Sequence, residues 1–175
     1  EETGIHIGDG NLGIIKDKKW KSYKYGISGD LIDEIFYHEI YLKNLLKKIY
    51  NIEPTIIKRE NKNSVDSILK SKAIVEFKNK VLKLPLGSKK DIKIPKEILK
   101  SEEFKKRCLT GIIDSDFSIT NSMAITGKLN NLFVIKEIKN ILKENNIKHT
   151  LQIYPSYGRF YINKEGAIKI IEEWK

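Results

Sequence analysis

The sequence is poor in cysteine and proline, with one cysteine, Cys108, and four prolines in 175 residues. One cysteine cannot form a disulfide within the chain or supply a multi-cysteine metal site, and its apolar helical surroundings predict a buried structural thiol. No apolar run approaches the roughly 18 residues that a membrane-spanning helix needs, and no signal-peptide pattern opens the chain. We therefore expect a cytoplasmic protein without a membrane partner.

Acidic residues are also scarce relative to basic ones. The chain has 23 Asp and Glu against 33 Lys and Arg, which gives a formal charge of +10. Such a surplus on a folded domain attracts polyanions, nucleic acid first and anionic membranes second. The alternative is a lysine-rich composition typical of a thermophilic or AT-rich host. With 40% hydrophobic residues, the chain can bury a core as one domain or as two small fused halves.

The sequence does contain a short motif that occurs twice, with an aspartate near the end of each copy. It reads GIHIGDG at residues 4–10 and GIIDSDF at residues 111–117. In each copy a glycine is followed four places later by a small residue and then by the acid. Two copies in one chain predict an internal duplication, with the function located where the copies meet.

A second match supports the duplication. NIEPTI at residues 51–56 resembles NIKHTL at residues 146–151, and both follow an amphipathic helical pattern. The first half carries extra residues between its motif and this match, and residues 16–30, which open with a very basic turn, are the obvious place for them. We predict halves at residues 1–86 and 95–175, joined by a linker at 87–94 that is rich in charge and breakers.

The small residues of each motif predict a close helix contact. On a helix, residues four apart share one face, so Gly4 and Gly8 form one stripe and Gly111 and Ser115 form its counterpart. Small-residue stripes let two helix backbones approach closely. The alternative is that each stripe packs against a neighbouring strand.

The two aspartates predict a cation site. Asp9 and Asp116 stand at the C-terminal ends of their helices, where the helix dipole disfavours a carboxylate. Two such carboxylates brought together need a compensating cation, and Mg²⁺ accepts one or two carboxylates with waters and phosphate oxygens. The alternative is that each aspartate is an ordinary solvated loop cap.

With these motifs the sequence resembles the single-chain, two-motif LAGLIDADG homing endonucleases. Residues 111–116 match the family motif closely and residues 4–10 more loosely, and IKIP at residues 92–95 resembles the segment before the family's second motif helix. The resemblance implies an α+β fold of two αββαββα halves related by a pseudo-two-fold axis. The motif helices would lie at the centre, and the antiparallel sheets would form a saddle for DNA.

The resemblance also implies a monomeric, site-specific endonuclease that cuts double-stranded DNA. Asp9 and Asp116 would be catalytic and, with Gly8 and Ser115, would bind Mg²⁺ or Mn²⁺. Lys90 and Lys93 are candidates for basic support, because Ile92 stands where the family is expected to carry a lysine. Strand alternation adds polar and basic candidates for DNA contact: Lys21, Tyr23, Tyr25, Lys58, Ser118, Thr120, Ser122, Lys148, Tyr157 and Arg159.

Departures from the family pattern keep a second function open. Phe117 replaces a glycine that suits a left-handed cap, Ile7 replaces a frequently polar residue, and His6 is predicted to be a packed core residue. These departures favour a cleavage-deficient nucleic-acid-binding module, such as an RNA-splicing maturase bound to structured RNA or a DNA-binding regulator. A third origin is the nuclease part of an intein, although this segment lacks the terminal residues that self-splicing needs.

Overall fold

The computed structural model describes residues 1–18 and 20–174. Within them the chain forms seven α-helices and eight β-strands, and π-helical turns at Tyr37–Leu42 and Phe77–Val81 precede the second helix and follow the third. The helices are α1 (Glu2–Asp9), α2 (Lys43–Tyr50), α3 (Lys72–Glu76), α4 (Lys96–Leu99), α5 (Glu102–Asp116), α6 (Leu132–Glu144) and α7 (Lys164–Glu173). The strands are β1 (Gly10–Lys16), β2 (Lys21–Asp30), β3 (Thr55–Arg59), β4 (Ser64–Lys70), β5 (Phe117–Ile119), β6 (Ile125–Leu129), β7 (His149–Ile153) and β8 (Gly158–Ile162).

Both halves of the chain repeat one order of elements. Each runs helix-strand-strand-helix-strand-strand-helix, with the short α4 preceding the second copy. The sheets have the strand orders β1-β2-β4-β3 and β5-β6-β8-β7, and every pair of neighbouring strands is antiparallel. The predicted α+β class and the αββαββα order are confirmed.

The second sequence match coincides with a repeated turn. Asn51 follows α2 with φ 52°, and Asn146 lies two residues beyond α6 with φ 55°. Asparagine tolerates this left-handed conformation better than most residues do. Equivalent turns at equivalent places support an internal duplication.

The chain forms two compact units. The C-terminal unit contains residues 1, 3–8 and the described part of 89–175, and the N-terminal unit contains residues 2 and 9–88. Helix α1 therefore contributes most of its length to the C-terminal unit, whereas Glu2 and Asp9 at its ends belong to the N-terminal unit. The predicted limits of the halves and linker stay predictions.

The N-terminal unit buries an ion pair on the helix side of its sheet. Lys78 is 0% exposed, and its Nζ lies 2.7 Å from the Glu2 carboxylate. The Tyr25 hydroxyl donates to the same carboxylate at 2.5 Å. Burial, followed by the charge of Glu2, raises the pKa of Tyr25 well above its usual range. A buried pair of this kind is satisfied only while both partners are present.

The C-terminal unit has a predominantly apolar core. Leu109 and Ile112 of α5, Ile138 of α6 and Phe160 of β8 are fully buried. Cys108 and His6 are both fully buried, so both predictions about their burial are confirmed. None of the described helices combines the length and apolarity that crossing a bilayer requires.

Candidate functional site

The site is built on a close contact between α1 and α5 in the C-terminal unit. A Cβ added at Gly4 would lie 2.9 Å from both the Cys108 carbonyl carbon and the Ile112 nitrogen, and closer still to the Cys108 oxygen. A Cβ added at Gly111 would lie 2.8 Å from the nitrogen of Ile5. Carbon atoms in contact normally stay about 3.5–4.0 Å apart, so only glycine permits this approach. The predicted helix–helix contact is confirmed, and packing of the stripes against strands is wrong.

The same contact brings the C-terminal ends of both helices together. A Cβ added at Gly8 would lie 2.6 Å from Ser115 Cβ and 2.9 Å from Asp116 Oδ2. The Ser115 hydroxyl donates to the carbonyls of Gly111 and Ile112, at 3.1 Å each. Three of the four predicted metal-binding residues, Gly8, Ser115 and Asp116, therefore lie side by side, and Asp9 is the next residue after Gly8 in the chain.

Lys89, which the sequence analysis did not single out, faces the end of α1. Its Nζ donates to the carbonyl of Ile7 at 3.2 Å and to that of Gly8. These last carbonyls carry the negative end of the helix dipole. Partial burial raises the pKa of the Asp116 carboxyl above its ordinary value, and the Lys89 ammonium offsets part of that rise. The only sequence signal for Lys89 is its place in a linker lysine pair.

A cavity of about 450 Å³ opens beside Asp116 within the C-terminal unit. Lys89, Lys90 and Lys128 give it positive charge, and Asp116 and the end of α1 line it as well. Its apolar wall consists of Ile92, Leu129 and Val134. The cavity therefore combines a carboxylate and main-chain carbonyls with several cationic side chains.

Asn131 fixes the linker at the edge of this cavity. Its Oδ1 accepts hydrogen bonds from the main-chain nitrogens of Phe133 and Val134, so it caps α6, and its Nδ2 donates to the Lys90 carbonyl at 2.8 Å. The cap thereby holds the backbone that carries Lys90, one of the two lysines predicted as basic support. Lys93, the other, instead extends over the Phe133 ring, with its Nζ 4.3 Å from the ring centre.

The donor set fits a magnesium-like ion better than a protein-only cage. Within residues 1–18 and 20–174, no group of three His, Cys, Asp or Glu side chains is gathered for a metal. Mg²⁺ needs only one or two carboxylates, because water and phosphate oxygens complete its shell. The Asp116 carboxylate, next to Gly8 at an open cavity that Lys89 also lines, meets that requirement.

Phe117 leaves the end of α5 undistorted. Its backbone is extended, with φ −118° and ψ 159°, and it begins β5 directly. Its ring covers Gly127, where an added Cβ would lie 2.6 Å from the ring's Cε1, and stacks on Phe160 with centroids 6.0 Å apart. Because the backbone at Phe117 is extended, no left-handed cap is needed there. Phenylalanine can therefore stand in place of the glycine of the family motif without backbone strain.

The sheet of the C-terminal unit separates an apolar face from a polar one. The pair Gly127↔Phe160 lies on the helix side, whereas the pair Lys128↔Arg159 lies on the opposite face. The Lys128 ammonium lies 4.2 Å from the centre of the Tyr157 ring. By strand alternation, the predicted DNA contacts on this polar face are Ser118, Tyr157 and Arg159.

The remaining predicted contacts of this unit lie at the ends of its strands. The hydroxyls of Thr120 and Ser122 are 2.9 Å apart in the turn between β5 and β6. Lys148 directly precedes β7, and its Nζ lies 3.5 Å from the Glu165 carboxylate. All three are therefore close to the polar face rather than in its centre.

In the N-terminal unit the predicted alternation is wrong by one residue. Tyr25 is 0% exposed, so it cannot reach DNA, and Lys21 and Tyr23 alternate with it on the helix side of β2. Lys58 pairs across the ladder with the buried Val65, and its Nζ lies 2.6 Å from the carboxylate of Glu39. A shift of one residue moves every strand side chain to the other face. The hydroxyl groups of Tyr23 and Tyr25 made the buried face of β2 look polar in the sequence.

The true polar face of this sheet carries a cluster that the sequence analysis missed. The buried Asp66 carboxylate accepts hydrogen bonds from the Ser28 hydroxyl at 2.6 Å and from the Arg59 guanidinium. Burial alone would raise the pKa of Asp66, but these hydrogen bonds and the charges of Arg59 and Lys24 outweigh it and lower that pKa. Alternation counted from Lys24 instead of Lys21 would have found this face.

Comparison with solved structures shows the fold. Over 96% of this chain and 89% of the other, it superposes on the homing endonuclease I-DmoI with a TM-score of 0.70 at 16% identity. The structure of I-DmoI in complex with DNA and Mn gives the same TM-score and identity over 96% and 90%. I-SmaMI bound to an uncleaved DNA target with calcium ions gives 0.63 at 12% identity, over 99% and 83%. The predicted fold resemblance to LAGLIDADG homing endonucleases is thus confirmed, whereas no protein-family model and no curated protein matches the sequence.

Proposed function

We propose that this chain is a site-specific endonuclease that cuts double-stranded DNA with the help of a divalent metal. The observation that carries the proposal is the placement of Asp116 beside Gly8 at a lysine-lined cavity. The site lies in a fold shared with I-DmoI, which has been solved in complex with DNA and Mn. A carboxylate and lysines around one cavity suit the joint binding of a cation and a phosphodiester.

Asp9 and Asp116 are the residues that we assign to the metal. Their carboxylates, with the main-chain carbonyls of Gly8 and Ser115, are hard oxygen donors of the kind that Mg²⁺ and Mn²⁺ prefer. The Ser115 hydroxyl is engaged by its own helix, so its carbonyl is the available donor. When bound, the ion supplies a water of lowered pKa and positive charge beside the scissile phosphate.

The lysines of the cavity would act on the phosphodiester itself. Lys89, Lys90 and Lys128 bring positive charge to the lining of the cavity, where it stabilises the charge that develops on the phosphate oxygens. Asn131 keeps the linker in position through the Lys90 carbonyl.

The polar faces of the two sheets are the proposed DNA-binding surfaces. In the C-terminal unit, Ser118, Tyr157 and Arg159 remain our candidates, with Thr120, Ser122 and Lys148 near them. In the N-terminal unit, Arg59 and Lys24 replace the buried Tyr25. Phosphate contacts by the basic residues predict an affinity that falls steeply with salt. One chain carries both motifs, so we propose a monomer.

The experiment first needs a substrate. Incubating the protein with a randomised duplex library in Mg²⁺ or Mn²⁺, and collecting the cut molecules, yields one. On that substrate Asp9→Asn and Asp116→Asn should each lower the cleavage rate by ~10³-fold or more, and Lys89→Gln by ~10²-fold. Binding, measured by fluorescence anisotropy of the labelled duplex, should be retained.

Exposed residues provide matched controls for these charge changes. Asp33→Asn and Lys136→Gln alter side chains on the surface and should leave cleavage unchanged. Normal cutting by Asp116→Asn would refute the assigned metal role. A parent protein that binds a duplex selected for affinity, yet never cuts it in either metal, would instead support the cleavage-deficient binding module.

A further inference from the structure

An exposed row of apolar side chains runs along the helical segment that follows β2. Ile32, Phe36 and Ile40 are 77%, 73% and 59% exposed. The main-chain nitrogens of Glu34 and His38 each donate to a carbonyl four residues earlier, at 3.0 Å, so this segment is helical. Residues four apart on a helix share one face. The three exposed side chains therefore lie in a row, which we call the apolar stripe.

The apolar stripe faces away from the sheet of the N-terminal unit. His38 and Leu42 of the same segment are 1% and 0% exposed, and His38 Nδ1 lies 2.8 Å from Ser67 Oγ on the helix side of β4. Residues two apart on a helix lie on roughly opposite sides of its axis. Because Phe36 and Ile40 are each two residues from His38, they point outward. A partner can therefore dock on the stripe while the polar face of the sheet is occupied.

The stripe lies in an acidic stretch of a basic chain. Residues 25–42 contain neither lysine nor arginine but four acids: Asp30, Asp33, Glu34 and Glu39. Of these four, Glu39 alone forms an ion pair within the described residues, with Lys58 at 2.6 Å. At physiological ionic strength, exposed charges more than roughly 8 Å apart are largely screened. An approaching molecule therefore responds to these acids more than to the net charge of the chain, so the stripe disfavours nucleic acids and anionic membranes.

The same acids make a second copy of this chain a poor occupant of the stripe. The commonest contact between identical chains has two-fold symmetry, so that one patch meets itself. Such a contact would bring the acids of one copy up to those of the other, and like charges across an interface disfavour binding. A partner with basic side chains is instead attracted by these acids.

A stacked pair of aromatic rings borders the stripe. The rings of Tyr37 and Tyr41 are 5.3 Å apart and 16° from parallel, and Tyr41 is 40% exposed. Each tyrosine directly follows a residue of the stripe in the sequence. Aromatic residues are enriched in protein interfaces, and the faces of their rings attract lysine and arginine. The surroundings of the stripe thus suit a protein surface that combines apolar and basic side chains.

We propose that the apolar stripe docks a basic amphipathic helix of a partner protein. The apolar face of that helix packs on the stripe, and its lysines or arginines lie beside the acids of residues 25–42. Phe36 is the anchor of the contact, because it is the largest of the three side chains and stands between the other two. The stripe belongs to the N-terminal unit and shares no residue with the candidate site, so this proposal does not depend on the proposed function.

A pair of synthetic peptides tests the proposal. The first is an amphipathic helix of about 18 residues in which Leu recurs at helical spacing and the other positions are Lys or Ala. The second has Glu in place of each Lys. Fluorescence anisotropy of the labelled peptides measures binding. The Lys peptide should bind the parent protein with an affinity that falls as salt is added, and the Glu peptide should bind at least ~10-fold more weakly.

Variants of the protein test the contact surface. Phe36→Ser should weaken binding of the Lys peptide by ~10-fold or more, and Ile40→Ser should weaken it in the same direction. The matched control is Phe104→Ser, because Phe104 is 55% exposed but is followed by three basic residues, and it should leave the affinity unchanged. Circular dichroism during thermal unfolding checks that each variant is folded.

Hydrogen exchange locates the bound peptide. Amide protection by the Lys peptide should be confined to fragments that contain residues 25–42, and protection elsewhere would refute the proposal. Equal binding of the two peptides, or an unchanged affinity in both Phe36→Ser and Ile40→Ser, would refute it as well.

Two other outcomes would replace the proposed partner. Dimerisation of the parent protein that Phe36→Ser abolishes, measured by sedimentation, would identify a second copy as the occupant. Binding of phosphatidylcholine vesicles that the same change abolishes would identify a lipid surface. Either result would overturn the assignment to a basic helix.

Discussion

Replacing Gly4 with alanine tests the helix contact on which the candidate site depends. The added Cβ would lie 2.9 Å from Cys108 C and Ile112 N, and closer to the Cys108 oxygen. Contact at about 3.5 Å requires a displacement of at least roughly 0.6 Å. The obstacle is the backbone of α5, so no rotamer change of a side chain can remove it.

The expected size of the effect follows from two opposing terms. Overpacking typically costs about 1–3 kcal/mol, and here the upper part of that range applies because backbone meets backbone. Alanine returns about 1 kcal/mol through its better helix propensity. A net loss of about 2 kcal/mol corresponds to a Tm lowered by about 6 °C in a chain of this size. Circular dichroism during thermal unfolding measures this shift.

A matched control and a rescue make the test specific. Gly13→Ala adds a Cβ that meets nothing within 4 Å and should leave the Tm unchanged. Gly8→Ala meets the Ser115 side chain, so Ser115→Gly should restore part of its loss, whereas Gly4→Ala has no such partner. A Tm for Gly4→Ala equal to that of the parent would show that the helices are not in backbone contact, and would remove the argument that places Gly8 beside Asp116.

Two further predictions concern the N-terminal unit. His38 is 1% exposed with its Nδ1 2.8 Å from Ser67 Oγ, and burial lowers its pKa below 6.5 despite the opposing charge of Asp66. The unfolded state therefore binds more protons, so the contribution of His38 to the free energy of unfolding should be present above its ordinary pKa of 6.5 and be lost as the pH falls below it, by up to about 1.4 kcal/mol per pH unit. Urea titrations should show this slope reduced in His38→Gln. Lys78→Met leaves the buried Glu2 carboxylate without its cation and should lower the free energy of unfolding by about 3–5 kcal/mol. The added change Glu2→Gln should recover part of that loss. Urea denaturation measures both, and a cost near zero for Lys78→Met would contradict the buried pair.

Local patterns in the sequence predicted the elements and their order well. The duplicated motif and the repeated Asn-Ile match are local signals, and the family resemblance that rests on the motif supplied the αββαββα order. The small-residue stripes predicted the α1–α5 contact, because close approach demands glycine whatever surrounds it. The position of Asp116 at the end of a motif helix was also predictable, because it depends only on the spacing of residues within one motif.

The sequence could not assign the faces of β2. Tyr23 and Tyr25 carry apolar rings with polar tips, so they suit a buried face or an exposed one. The choice was made by the buried Glu2, whose carboxylate accepts a hydrogen bond from the Tyr25 hydroxyl, and by Lys78, whose ammonium pairs with the same carboxylate. Both residues come from distant parts of the chain. The same choice placed Arg59 and Asp66 on the polar face.

The sequence by itself determined the duplicated architecture, the glycine contact and the acids at the helix ends, because each depends on spacing within a single element. Only the tertiary structure decided that Lys89, and not Lys93, faces the end of α1, and that Phe117 begins a strand without a left-handed cap. Those outcomes depend on how the linker is held by Asn131 and on the space above Gly127. Both are contacts between different elements of the fold, which no pattern within a single element records.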